Sequence, residues 1–105
     1  MYLITYGTRP ELIKLFPLIN KMKKLGIEHK TLFTGQHKDL ILEFENLTHK
    51  PDFVLENIME HGQSINALIS KIINQSQEVF NKLDCKVIVQ GDAASTFAMA
   101  LSGFN

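Results

Sequence analysis

The sequence predicts an α/β protein built on a doubly wound parallel sheet. Strand-like and helix-like segments alternate along the chain, and glycine-containing polar turns follow several of the strand-like segments. Alternation of this kind is typical of parallel strands that are joined through helices by right-handed crossovers. The first strand-like segment is also a nearly continuous apolar run, which suits a strand covered by helices on both faces.

The first two elements are a strand over residues 2–6, which ends at Gly7, and a helix that ends at Gly26. Thr8 and Glu11 have the Thr-x-x-Glu spacing of a capping box, and Pro10 suits the first turn of a helix because its missing N–H is not needed there. The apolar residues of this helix recur at helical spacing. They are Leu12, Leu15, Phe16, Ile19 and Met22.

The remaining segments continue the alternation. In chain order they are a strand at 31–34, a short helix around 39–47, a weak strand at 53–55, a helix at 63–83, a strand at 86–90 and a helix at 93–104 with Phe97, Leu101 and Phe104 aligned. Doubly wound sheets usually have five or six strands, in the order 3-2-1-4-5-6. The fourth strand would then be an open edge. We therefore expect an incomplete N-terminal part of a larger fold.

Composition narrows the function classes. The chain has 105 residues, of which 45% are apolar and 21% charged, and eleven basic residues balance eleven acidic ones. A neutral balance argues against a general binder of nucleic acid or of membrane surfaces. The single Cys85 cannot form an internal disulfide, and no apolar run approaches the roughly 18 residues of a membrane span. These features predict a cytoplasmic protein.

Metal and cofactor motifs are not found in the sequence. The four histidines include no pair at i, i+4 and have no cysteine partner at zinc spacing, so we predict no metal site. Neither GxGxxG nor GxxxxGK[ST] occurs, which leaves a nicotinamide cofactor and a P-loop without support.

Ligands of doubly wound sheets bind beyond the carboxyl ends of the strands, where the strand order reverses. The turns that follow the first, second and fourth strands lie on that rim. Arg9, at a helix N-terminus, suits a phosphate or diphosphate, and Lys14 could add a second positive charge. The alternative is a solvated helix start at Arg9 and Lys14, with Glu11 acting only as a capping residue.

Asp92 directly follows a predicted buried strand and a glycine, so it could act as a general acid or base at the rim. The alternative is an ordinary helix N-cap. Ser95 and Thr96 could donate to a phosphate or a sugar, or simply fill the first helical turn. His37 could bind a ligand hydroxyl, or it could be a solvated loop histidine.

Three motifs in order resemble the N-terminal end of the UDP-N-acetylglucosamine 2-epimerases. They are GTRPELIK at 7–14, TGQH at 34–37 and VQGDAAST at 89–96. Pro10 and Glu11 further resemble the non-hydrolysing branch of that family. The resemblance implies a glycosyltransferase-B-like fold in which the substrate lies between two Rossmann-like domains. Residues 1–105 would form the N-terminal part of the first domain, without its remainder and without the C-terminal nucleotide-binding domain.

The resemblance also implies a reaction. The family removes the proton at C2 of the sugar and expels UDP, which gives 2-acetamidoglucal; UDP is then added back with the proton delivered to the opposite face. The reaction needs no metal and no nicotinamide, and the full-length protein is expected to be a homodimer that serves surface-polysaccharide synthesis.

By position, Arg9 and Lys14 match family residues around the UDP-sugar, and Asp92 matches a carboxylate that is important for catalysis and substrate binding. Gln36 and His37 match a pair through which a second UDP-sugar activates some bacterial members. Lys71 stands where those members have an arginine, and lysine cannot reproduce a bidentate phosphate grip.

Other functions remain open at this point. They are a hydrolysing epimerase, another nucleotide-sugar enzyme of the same two-domain architecture, and a non-catalytic α/β nucleotide-binding or interaction module. We expect these 105 residues alone to have no epimerase activity.

Overall fold

The structure is a computed structural model that describes residues 1–34, 51–55, 58, 62–90 and 94–104. Within these ranges the predicted alternation of strands and helices is confirmed. The elements are β1 (Tyr2–Tyr6), α1 (Arg9–Leu25), β2 (His29–Phe33), β3 (Phe53–Val54), α2 (Ile65–Lys82), β4 (Lys86–Ile88) and α3 (Ala94–Phe104). The predicted short helix around 39–47 lies outside the described residues.

The four strands form one sheet in the order β3-β2-β1-β4, and every pair is parallel. Tyr2 of β1 lies opposite His29 of β2 on one side and opposite Lys86 of β4 on the other. The predicted strand order is therefore confirmed. Among the described strands β4 pairs only with β1, which leaves its outer edge open as expected.

Helices cover both faces of the sheet. Successive side chains of a strand point to opposite faces, so Leu3 and Ile4 of β1 enter different cores. Leu3 packs in a cluster with residues of α2 and α3, including Ile72 and Met99. Ile4 packs with the buried stripe of α1, which includes Leu12 and the other predicted positions. Covering helices on both faces explain why β1 is almost uniformly apolar.

Helix α1 ends at Gly26, as the sequence predicts. Gly26 adopts the left-handed conformation, with φ 70°, that glycine enters at least cost. The N–H of Gly26 donates to the carbonyl of Lys23 and that of Ile27 donates to the carbonyl of Met22. This cap turns the chain directly into β2.

Helix α3 buries a different face from the stripe that the sequence picks out. Phe97, Leu101 and Phe104 are aligned but exposed, and the residues that face the core are Ala98, Met99 and Ser102. The hydroxyl groups of Ser102 and Ser76 lie 2.8 Å apart between α3 and α2. The small residues Ala98 and Ser102 on this face let the two helices approach closely, and Met99 is the large apolar side chain that it buries.

The short strand β3 is held by one carboxylate. Oδ2 of Asp52 accepts a hydrogen bond from the N–H of Thr31 at 2.8 Å, and the N–H of Asp52 donates to the carbonyl of Thr31 at 3.1 Å.

None of the helices in the described ranges has both the length and the apolar character to cross a membrane.

Candidate functional site

The carboxyl ends of β1 and β4 lie side by side. Ile4 is opposite Ile88 at the end of their paired stretch, and the hydroxyl of Thr5 donates to the carbonyl of Ile88 at 3.2 Å. Because the two strands are parallel, the chain leaves both of them at the same edge of the sheet. Thr5 is itself buried, so this hydrogen bond closes the gap between the two strands just below the rim.

Helix α1 begins at this rim with the predicted capping box. Thr8 is the N-cap in an extended conformation, and its Oγ1 accepts a hydrogen bond from the N–H of Glu11 at 3.4 Å. In return, the Thr8 hydroxyl donates to Oε2 of Glu11 at 2.6 Å. The Thr-x-x-Glu pattern thus fixes where the helix starts, and the positive end of its dipole lies at the rim.

The Glu11 carboxylate is more than a local cap. Only 6% of this residue is exposed, and its Oε1 accepts from the N–H of Gly7 at 3.4 Å and from the hydroxyl of Thr96 at 3.3 Å. Thr96 belongs to the first turn of α3, which follows β4. One carboxylate therefore joins the turn after β1 to the helix after β4.

Thr96 has a second acceptor. Its hydroxyl lies 2.9 Å from the carbonyl oxygen of Gln90, which follows β4. A hydroxyl has a single proton, so Thr96 shares it between Gln90 and Glu11. The sequence predicts a ligand donor or a first-turn filler at Thr96; within the described residues it joins the first turn of α3 to Gln90, which follows β4.

Thr34 contributes a buried hydroxyl at the end of β2. Its N–H donates to the carbonyl of Tyr6 at 3.0 Å, which continues the β1–β2 ladder to the rim. Its Oγ1 is fully buried and has no hydrogen-bond partner among the described residues. Burying such a group unpaired is costly, so Thr34 carries unused hydrogen-bonding capacity just beyond the end of β2.

A separate groove of about 550 Å³ lies between β3 and the C-terminal half of α2. It is lined by mixed side chains that include Phe53, Leu55, Glu78 and Lys82. The described residues bring no three His, Cys, Asp or Glu side chains together in a way that could hold a metal ion.

A sequence model of the UDP-N-acetylglucosamine 2-epimerase family matches residues 20–105, which is most of the chain. The chain belongs to this family. The matched range begins after the GTRPE motif, so family membership does not depend on the motif that first indicated it.

Curated relatives from the epimerase family support the same assignment. The UDP-N-acetylglucosamine 2-epimerase of Salmonella borreze is 36% identical over 107 residues, which cover 97% of this chain and 28% of that protein. The protein of the same name from Bacillus subtilis is 35% identical over 102 residues, covering 94% of this chain and 27% of the relative. The chain therefore spans a little over a quarter of the length of these epimerases.

Solved epimerase structures share the fold. The crystal structure of the Neisseria meningitidis enzyme bound to UDP-GlcNAc matches with a TM-score of 0.83 and 37% identity, over 99% of this chain and 29% of that one. Another crystal structure of a UDP-N-acetylglucosamine 2-epimerase matches with a TM-score of 0.86 and 35% identity, over 98% of this chain and 28% of that one. The predicted α/β fold and the family resemblance are both confirmed.

The cationic residues of the predicted epimerase site lie on α1. Arg9 is the first residue of the helix, while its guanidinium falls outside the described part of the chain. Lys14 lies further along α1 and is exposed. The structure thus places the backbone of Arg9 at the rim, and the roles of both side chains stay predictions.

The other predicted epimerase residues are not described. Asp92, Gln36 and His37 lie outside the described residues, and their roles stay predictions. Lys71, which stands at the position of a family arginine, donates from Nζ to Oε1 of Gln63 at 3.1 Å. Gln63 in turn donates to the carbonyl of Ile58 at 2.8 Å, so Lys71 links α2 to the segment that precedes it.

Proposed function

We propose that this chain provides the N-terminal part of a UDP-N-acetylglucosamine 2-epimerase of the non-hydrolysing type. The enzyme interconverts UDP-GlcNAc and UDP-ManNAc by eliminating UDP and adding it back through 2-acetamidoglucal, for use in surface polysaccharides. The observation that carries the proposal is the Glu11–Thr96 contact of 3.3 Å, which brings the starts of α1 and α3 together at one edge of a parallel sheet. Family membership supplies the substrate class.

This rim suits an expelled diphosphate. The first N–H groups of a helix have no intrahelical partners, and two such helix starts meet at the ends of β1 and β4. Arg9 would add a guanidinium fork for phosphate oxygens, and Lys14 a second positive charge. In the proposed reaction these groups stabilise the charge on UDP as the bond to the sugar breaks.

Proton transfer at C2 needs a positioned acid or base. We assign this role to Asp92, which also contacts the substrate, because the chain places it between Gln90 and Thr96. Both of these flanking residues lie at the rim, joined by a hydrogen bond of 2.9 Å. The remaining groups would come from the part of the fold that lies, in the relatives, beyond the range they share with this chain, in a two-domain architecture with the substrate in the cleft.

Several further features belong to the same proposal. We expect no metal and no nicotinamide to take part, a homodimer as the full-length protein, and a cytoplasmic location. Gln36 and His37 would form a regulatory pair for a second UDP-sugar, with weaker activation than in relatives because Lys71 cannot make the bidentate phosphate contact of the family arginine.

The test is turnover by the full-length protein with UDP-GlcNAc in D₂O, followed by proton and phosphorus NMR. We expect UDP-ManNAc that carries deuterium at C2. Arg9→Ala should lower kcat/KM by roughly 10- to 100-fold, because it removes charge-assisted hydrogen bonds to phosphate. Lys21→Ala, the same loss of charge at an exposed position of α1, is the matched control and should have little effect.

Each other outcome of the assay contradicts the proposal. Release of free N-acetylmannosamine and UDP would indicate a hydrolysing epimerase. Transfer of the sugar to an acceptor would indicate a glycosyltransferase. Binding of UDP without turnover would indicate a non-catalytic module.

A further inference from the structure

We infer that Glu11 is a positioning residue that couples the turn after β1 to the helix after β4. Its carboxylate would hold the turn at Gly7 and Thr8 and the first turn of α3 in one register, so that a ligand at the rim meets both together. The consequence for ligand binding rests on the proposed function. The coupling itself rests only on the geometry of the described residues.

The contacts of Glu11 span two distant parts of the chain. Oε1 lies 3.4 Å from the N–H of Gly7 and 3.3 Å from Oγ1 of Thr96, and Oε2 lies 2.6 Å from Oγ1 of Thr8. A capping box explains a contact within the first turn, such as that with Thr8. It does not account for the hydrogen bond to Thr96, which comes from a different helix.

Because Glu11 is buried, its carboxylate depends on hydrogen bonds from the protein. A carboxylate taken out of water costs free energy unless donors replace the lost hydration. Glu11 is 6% exposed, and its donors are one backbone N–H and two hydroxyl groups. The N-termini of α1 and α3 both favour a negative charge at this point. Gly7 and Thr8 belong to the turn after β1 and Thr96 belongs to α3, so the full set of donors to Glu11 requires both parts to keep their places.

Thr96 transmits the coupling to the loop after β4. Its hydroxyl lies 3.3 Å from Glu11 and 2.9 Å from the carbonyl of Gln90, and the two neighbours compete for its proton. Loss of the Glu11 acceptor would leave Thr96 bonded to Gln90 alone. The helix after β4 would then lose its only hydrogen bond to Glu11 and to the α1 turn among the described residues.

A simple electrostatic role makes the opposite prediction for ligand affinity. A negative charge beside an anion site repels phosphate, so neutralising Glu11 would then strengthen the binding of UDP. If Glu11 is a positioning residue, neutralising it weakens binding, because the donors of the two turns no longer converge. The direction of the change separates the two roles.

The first experiment measures coupling without a ligand. Hydrogen–deuterium exchange is followed by mass spectrometry in the full-length protein and its Glu11→Gln variant. We expect exchange in a peptide over residues 94–104 to rise about fivefold, because an amide offers one acceptor oxygen where the carboxylate offers two, and a neutral oxygen binds the Thr96 hydroxyl more weakly. Thr96→Val should have the same effect and Thr96→Ser should restore protection. Glu78→Gln, an equal charge change at an exposed position of α2, is the matched control.

The second experiment measures UDP affinity by calorimetry. We expect Glu11→Gln and Thr96→Val each to weaken binding by about tenfold, and the double variant to lose little more than either one. Faster exchange confined to residues 7–14 would overturn the coupling, and so would unchanged or tighter UDP binding by Glu11→Gln. If the wild-type protein does not bind UDP, the proposed function fails while the exchange experiment still decides the coupling.

Discussion

At the scale of single residues, Tyr6 shows how the sheet controls an ionisable group. Its side chain is 1% exposed and its ring lies 5.8 Å from that of Phe33, with the planes inclined by 30°. Burial raises the pKa of the Tyr6 phenol well above its usual value near 10 and has the largest effect. A hydrogen bond with Thr31 lowers this pKa, and the negative charge of Asp52 raises it.

Stability should fall at alkaline pH because of Tyr6. Above about pH 10 the unfolded chain loses this phenolic proton while the folded protein keeps it, so the unfolded state is favoured as pH rises. We expect the free energy of unfolding to decrease by up to about 1.4 kcal/mol per pH unit from this group. Urea titrations between about pH 9 and 11.5 measure it.

Tyr6→Phe should remove this alkaline decrease in the free energy of unfolding. Tyr2→Phe, a matched change at a half-buried position of the same strand, should keep it. Identical pH dependence of the wild-type protein and Tyr6→Phe would contradict this account of Tyr6.

The rim shows what single residues reveal in the sequence. The partnership of Thr8 and Glu11 is readable because a capping box is a local pattern of fixed spacing. The contact between Glu11 and Thr96 is not readable, because the two residues are 85 positions apart and meet only when β1 and β4 pair. The hydroxyl residues Ser95 and Thr96 are the only hint of this contact in the local sequence, and they are equally typical of a ligand-binding turn.

At the scale of elements, helix α3 shows where periodicity fails. It carries no charged side chain, and its large apolar residues fall on more than one side, so its hydrophobic spacing does not indicate which face is buried. The close approach of α3 to β4 decides instead which face of the helix is buried. An added Cβ at Gly103 would lie 2.6 Å from Cγ2 and 3.1 Å from Cβ of Val87, so α3 lies against β4 at a distance that only glycine allows.

Gly103→Ala should therefore destabilise the protein. Overpacking against Val87 typically costs about 1–3 kcal/mol, and the better helix propensity of alanine returns about 1 kcal/mol. We expect a net loss of about 1 kcal/mol in the free energy of unfolding, measured by urea titration. In a Val87→Ala background, which removes the obstructing methyl groups, the same change should be neutral or stabilising. An equal effect in both backgrounds would contradict the close packing of α3 on β4.

At the scale of the whole molecule, the strand order was predictable because alternating strands and helices allow few parallel topologies. Among the described strands the outer edge of β4 is unpaired, and Phe97, Leu101 and Phe104 of the helix that follows β4 are exposed. Exposed edges and apolar faces favour association. The chain spans 28% of the Salmonella borreze relative, and the expectation that these 105 residues alone do not turn over substrate stays a prediction.

The most direct test of the central claim is a footprint of UDP on the full-length protein by hydrogen–deuterium exchange. The claim is that the ends of β1 and β4 form one anion-binding crevice. We predict that saturating UDP slows exchange both in a peptide over residues 7–14 and in a peptide over residues 89–96, and that Arg9→Ala abolishes both effects together. Protection confined to the groove beside Phe53 and Glu78, or to only one of the two turns, would contradict it.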